Sequence, residues 1–244
     1  MSALKDYIDN NLSKEYTVEK TMSDTAVNKV TLYKKNDSEN RLLFISSVYR
    51  NDDVFRLLKG RQCENLPRIY EVASEDEALY ILEEYIDGTG LDTAVKTENL
   101  PEEKVVKYAL DICKALNYLH GFNIIHRDIK PSNIIITNED RAVLVDLSIA
   151  KVFTGKKEKD TINLGTIGYA APEQFGFSES SPATDIYALG VLMNELILGV
   201  HPTVEIPKGS IGKIIKKCTV TQISKRYQNA NELQKALERK KTAK

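Results

Sequence analysis

Apolar and polar residues alternate through the N-terminal third of the chain. The stretches "YTVEKTM", "NKVTLYKK", "RLLFISSVYR" and "ALYILEEYI" carry β-branched, aromatic and aliphatic residues, broken by polar turns such as "KNDSEN" and "SEDE". That pattern predicts strands. Among them "DDVFRLLKG" predicts one short helix that Gly60 closes. From Pro101 the period changes. "PEEKVVKYALDICKALNYLHG" puts Val105, Ala109, Ile112, Leu116 and Leu119 on one helical face, with Pro101 suited to the first turn and Gly121 just past the end. Two short strands follow, "NIIIT" and "AVLVD". After a polar loop, "ATDIYALGVLMNELILG" predicts a buried helix, and "IGKIIKKCT" and "NANELQKALERK" predict two more.

The pattern predicts an α+β chain of two lobes. Residues 1–86 form a small β-rich lobe with one short helix, and residues 87–244 form a larger helical lobe. Gly88 and Gly90 mark a hinge-like turn between them. The 42% hydrophobic content can build a core, and a net charge of −1 argues against nucleic acid as the main partner. Cys63, Cys113 and Cys218 are far apart, so neither a zinc site nor a disulfide framework is expected. Free thiols suit a reducing, cytoplasmic compartment. "MSALKDYIDNNLSKEY" has no apolar core and is not a signal peptide. The longest apolar stretch, "GVLMNELILGV", is interrupted by Asn194 and Glu195, so no membrane segment is expected within the chain.

Candidate chemistry concentrates in "HRDIKPSNIIIT", where His126, Arg127, Asp128, Lys130 and Asn133 precede an apolar run. A second apolar strand ends in Asp146, in "AVLVDLS". Oxygen donors from Asn133 and Asp146, at the ends of neighbouring strands, suit a hard cation such as Mg²⁺ against phosphate oxygens. Further on come "GTIGYAAPEQF" with Glu173, "DIYALG" with Asp185, and "SKRYQ" with Arg226, a candidate buried ion-pair partner for Glu173. Any one of these is an ordinary charged turn or cap when taken alone. Their order and element contexts together favour a catalytic constellation. His120 and His201 read as a helix end and a turn, and Cys113 as core.

In this order the motifs resemble a eukaryotic-type serine/threonine protein kinase domain of the kind found in bacteria, specifically from about Leu79 to Leu237. The resemblance implies a bilobal fold, ATP and Mg²⁺ (or Mn²⁺) as cofactors, and a protein substrate or regulatory protein partner. Asp128 would accept the proton of the attacking hydroxyl, and Lys130 would steady the transferred phosphoryl group. Asn133 and Asp146 would hold the metal. The backbone of Glu84, Tyr85 and Ile86 would meet the adenine, with Glu83 at the gatekeeper position. His126, Thr166, Glu173, Asp185 and Arg226 would support the loop. Arg127 would engage phosphate on the activation segment, with Thr161 as the chosen acceptor.

The resemblance breaks in the N-terminal lobe. Where kinases carry a glycine-rich loop, "SDTAVNKV" has no glycine. Ser46 or Ser47 stands where the third strand should carry a lysine, and Ser46 is the expected phosphate-side residue. Asp53 or Val54 falls where the short helix should offer a glutamate. Lys29 and Arg50 are candidate substitutes for the missing cation. The usual Asp-Phe-Gly becomes Asp146-Leu147-Ser148. Three readings follow: an active kinase with an atypical nucleotide clamp, a pseudokinase acting as a binding or allosteric module, and a small-molecule phosphotransferase. The third is disfavoured by "GTIGYAAPE", which resembles a peptide-docking segment.

Overall fold

The computed structural model describes residues 3–48, 51–75, 78–95, 99–153, 165–175 and 179–242. The chain divides into two compact units, Met1–Cys63 with Pro67–Ile86, and Glu64–Leu66 with Asp87–Lys244.

The N-terminal unit contains α1 (Ala3–Glu15), β1 (Tyr16–Asp24), β2 (Asn28–Lys35), β3 (Arg41–Ser47), α2 (Asp52–Leu58), β4 (Ile69–Glu75) and β5 (Ala78–Glu84). The strands form one antiparallel sheet in the order β1-β2-β3-β5-β4. Opposed residues in such a sheet share a face, and successive residues alternate between faces. The register pairs Ser46 with Lys29 and Tyr80, and Phe44 with Thr31 and Leu82. The other face carries Ser47, Ile45 and Leu43, opposed to Leu79, Ile81 and Glu83 on β5 and to Asn28, Val30 and Leu32 on β2.

Helix α1 covers the Phe44 face. Leu12 is buried with Tyr33, Leu42, Phe44 and Tyr80, and Ile8 packs alongside. The Phe44 and Tyr80 rings stack at 6.0 Å. This helix went unread in the sequence. Its inward residues Ile8 and Leu12 are one turn apart, but polar residues dilute them. In α2, Val54, Phe55 and Leu58 point inward.

The C-terminal unit contains β6 (Gly88–Gly90), α3 (Leu91–Ala94), α4 (Glu102–Gly121), β7 (Ile124–Ile125), β8 (Ile134–Thr137), β9 (Ala142–Leu144), β10 (Lys151–Val152), α5 (Pro182–Leu198), α6 (Gly209–Cys218) and α7 (Ala230–Thr242). Strands β6, β8 and β9 form a small antiparallel sheet, and β7 pairs with β10. The five apolar residues chosen for the inner face of α4 are at most 1% exposed. Burial of each larger aliphatic side chain stabilises by about 1.5–3 kcal/mol. Helix α5 is apolar on nearly every side and buried along most of its length. Its Gly190 permits close approach to α6, because a Cβ there would lie 2.4 Å from the Cβ of Cys218.

The short segment Glu64–Leu66 belongs to this unit rather than to its neighbours in sequence. Asn65 explains the attachment. Its side-chain amide donates to the Ala142 carbonyl at 2.8 Å, and its carbonyl accepts the Leu144 N–H at 2.9 Å.

Candidate active site

The loop between β7 and β8 is held by backbone-directed bonds. Asp185, in the first turn of α5 and fully buried, accepts the N–H of His126 at 3.0 Å and that of Arg127 at 2.8 Å. Arg127 has φ 69°, and Asp146, after β9, has φ 68°. A non-glycine residue in this region costs about 1–3 kcal/mol and needs surrounding contacts to hold it. For Arg127 those contacts include Gln174, which donates to its carbonyl, and the Ile149 carbonyl, which accepts from its Nε at 2.7 Å. For Asp146 the Ser148 N–H donates back to Oδ1 at 3.0 Å.

His126 is fully buried. Its Nδ1 faces the Asp128 N–H at 3.3 Å and its Nε2 faces the Val145 carbonyl at 3.3 Å. An N–H can only donate and a carbonyl can only accept, so the ring proton sits on Nε2. The imidazole thus ties the loop after β7 to the strand that leads into Asp146.

Asp128 gathers three side chains. Lys130 Nζ lies 2.7 Å from Oδ2, the Thr166 hydroxyl donates to Oδ1 at 2.7 Å, and the Asn133 amide donates to Oδ2 at 2.9 Å. Lys130 also donates to the Thr166 oxygen at 2.8 Å, closing a ring of polar groups. Burial alone would raise the Asp128 pKa. Hydrogen bonds from Lys130 and Thr166 outweigh it and hold the carboxyl below its usual range. Gly165, at φ 134°, delivers Thr166 to this ring, and a side chain there would collide with Ala170 and Gln174.

Asn133 donates from its amide nitrogen to both the carbonyl and the carboxylate of Asp128. Its carbonyl accepts the Val145 N–H at 2.9 Å, which brings the residue before Asp146 against Asn133. With its nitrogen engaged, the Asn133 side chain keeps an oxygen for a ligand. Asp146 is exposed, and Leu147 behind it is buried. Two hard oxygen donors fit a Mg²⁺ ion, which keeps water and phosphate oxygens for its other positions.

The support is equally built. Glu173 and Arg226 form a buried bidentate pair at 2.7 and 2.9 Å, and Thr184 donates to the same carboxylate. Arg226 also donates to the carbonyls of Val220, Thr221 and Ala183 and lies over the Tyr187 ring.

One expectation needs correction, and one reading gains a contact. His120 stands in the last turn of α4, as read, and its half-buried ring brings Nε2 to 2.9 Å from Asp185 Oδ2. No local spacing signals that contact, because the partners are 65 residues apart. Ser46 cannot share a face with Glu83. It lies on the α1-covered face with Phe44, whereas Ser47 shares the Glu83 face. Lys29, opposite Ser46, forms an exposed pair with Asp24 at 2.8 Å. Asp53 is also exposed, and its carboxylate accepts the Val54 N–H. In the expected hinge, the Glu84 N–H is engaged by the Arg68 carbonyl, and Tyr85 and Ile86 follow it as half-buried residues. Thr161 and Arg50 lie outside the described residues.

Comparison with known proteins agrees with this geometry. A protein kinase domain is matched over residues 15–243. A probable serine/threonine-protein kinase of Clostridium acetobutylicum is 32% identical over 195 residues, 69% of this chain and 30% of the relative. One from Clostridium perfringens is 34% identical over 140 residues, 57% of this chain and 20% of the relative. Mitogen-activated protein kinase kinase 9 of Arabidopsis thaliana is 34% identical over 165 residues, 66% of this chain and 52% of the relative. The chain therefore spans between a fifth and about half of the length of these relatives. A polar ring centred on Asp128, with its anchors at Asp185 and Glu173, thus sits inside a family match that covers nearly the whole chain, and the chain belongs to the protein kinase family as a eukaryotic-type kinase domain with bacterial serine/threonine relatives.

Proposed function

We propose that the chain transfers the γ-phosphate of ATP to a serine or threonine hydroxyl of a protein, with an atypical nucleotide clamp. The observation that carries this reading is the polar ring in which Lys130, Thr166 and Asn133 all contact the Asp128 carboxylate. Asp128, ionised at neutral pH, accepts the proton of the acceptor hydroxyl. Lys130 stabilises negative charge as it develops beside that carboxylate. Asn133 and Asp146 would hold Mg²⁺ or Mn²⁺, which supplies charge neutralisation on the phosphoryl oxygens. The backbone at Glu84–Ile86 would bind the adenine.

Within the N-terminal unit, Leu43, Ile45 and Ser47 are the β3 residues on the face of Val30 and Glu83, and none is cationic. A lost preorganised charge contact commonly costs about 10²–10³ in rate, so slow transfer is expected rather than none. The three free cysteines agree with a cytoplasmic setting. Among the described residues no helix is long and apolar enough to cross a membrane.

The same missing cation favours a second reading, a pseudokinase that acts as a binding module. Incubation with ATP and Mg²⁺ or Mn²⁺, followed by mass spectrometry for phosphate on the chain or on added protein, separates the two. Transfer that disappears in Asp128→Asn supports the kinase. Equal, background-level signal from both proteins supports the pseudokinase.

A further inference from the structure

The net charge of −1 hides a strong polarity. Residues 206–244 carry eleven Lys and Arg against Glu232 and Glu238, a net of +9, so residues 1–205 sum to −10. Part of the positive charge is structural. Arg226 is buried against Glu173, and Lys240 pairs with Glu102. Of the other nine cations, Lys235, Arg239, Lys241 and Lys244 fall in the sequence of α7 and its end, and five, Lys208, Lys213, Lys216, Lys217 and Lys225, fall in or beside α6.

Helix α6 buries Ile211, Ile214, Ile215 and Cys218 and turns Lys213, Lys216 and Lys217 outward. Spacings of three and four residues put these lysines on one face. Lys208 precedes the helix and is exposed. Lys225 is exposed on the next turn, in a segment whose Tyr227 ring lies 4.2 Å from Lys217 Nζ. Among the described residues none of these five lysines has an ion-pair partner. Lys216 and Lys217 favour the negative end of the α6 dipole. That accounts for those two, but not for Lys208, Lys213 or Lys225.

We infer that the outer face of α6 docks the kinase domain on an anionic lipid surface. A lysine-studded helix face suits a flat array of headgroups, where each lysine strengthens binding roughly fivefold. Val204, 75% exposed and just before Lys208, adds an apolar contact at the rim. Single-stranded nucleic acid is the poorer fit, because its binders offer exposed aromatic faces, whereas Tyr227 is half-buried beneath Lys217.

The test is co-sedimentation of the 244-residue chain with vesicles of phosphatidylcholine alone or with phosphatidylserine at about a third of the lipid. Binding is expected only to the anionic vesicles, and it should fall steeply as NaCl rises. Replacing Lys208, Lys213 and Lys225 by Gln should weaken it about a hundredfold without changing the thermal midpoint. Replacing Lys20, Lys34, Lys35 and Lys59 by Gln should leave it unchanged. The salt series needs no variant, so misfolding of the α6 variant leaves the proposal testable. Absence of binding to anionic vesicles, binding insensitive to salt, equal loss in both variants, or tighter binding to single-stranded DNA than to vesicles would overturn it.

Discussion

The two units differ in where their cations go. In the C-terminal unit Lys130 and Arg226 sit against carboxylates that are themselves buried or nearly so, Lys130 meets two acceptors, and each Arg226 guanidinium N–H meets its own. In the N-terminal unit Lys29, Lys34, Arg41 and Lys59 pair with Asp24, Glu39, Glu19 and Glu71 on the outside. Exposed pairs of this kind contribute little. The sheet face that bears Glu83 is lined on β2 and β3 by Asn28, Val30, Leu32, Leu43, Ile45 and Ser47, none of them cationic. Lys130 and Arg226 of the C-terminal unit thus sit in enclosed polar networks, while the paired cations named in the N-terminal unit lie at its surface.

The sharpest way to break this contrast is Asp128→Asn. Phosphate transfer should fall by about 10²–10⁴, with the circular-dichroism spectrum unchanged. Next comes Arg226→Met, which strands Glu173 in the core. Equilibrium denaturation should reveal a loss of about 3–5 kcal/mol. Lys29→Met, at an exposed pair of similar length, should leave the unfolding midpoint where it was.

A smaller effect concerns pH. Asp128 and Asp185 both lie below their ordinary value of 3.8. In Asp185 burial pushes upward, and hydrogen bonding to His120 and the Arg127 N–H overcomes it. A depressed carboxyl stabilises the fold above its unfolded pKa, and that stability is lost as pH falls through the folded value. The stability contributed by both groups should therefore persist down to about pH 4 and fall away below it. A pH–rate profile should likewise have no acid limb from Asp128 between about pH 5 and 8. The smallest effect on turnover is expected for His120→Gln, which removes one bond to the loop anchor. Its kcat should drop about three- to tenfold with KM unchanged, as befits one buried hydrogen bond.

Legibility in the sequence followed the same divide. The helical face of α4, the buried α5 and the loop from His126 to Asn133 were readable because their signals are local: a 3.6-residue period, a run of apolar residues, a dense polar cluster before a strand. The Glu173–Arg226 pair was readable only through motif order, being 53 residues apart in sequence. Helix α1 was missed because its inward face is narrow, and Asn65 because one polar residue in a loop carries no period. The choice between Ser46 and Ser47 shows the limit most clearly. Alternation determines that they face opposite sides, but only the register with Glu83 and Val30 decides which side belongs to which.

That choice also supplies the most direct test of the central claim, that the C-terminal unit is competent and the N-terminal clamp limits it. ATP affinity and phosphate transfer should be measured side by side in Ser47→Lys, Ser46→Lys and Ser47→Lys with Asp128→Asn. The account predicts that Ser47→Lys tightens ATP binding by about 1–2 kcal/mol and raises transfer, scaled from a charge-assisted hydrogen bond. Ser46→Lys should do neither, and the double variant should bind ATP as tightly as Ser47→Lys without transferring phosphate. Tighter binding with no transfer in Ser47→Lys, or a gain from Ser46→Lys instead, would contradict it.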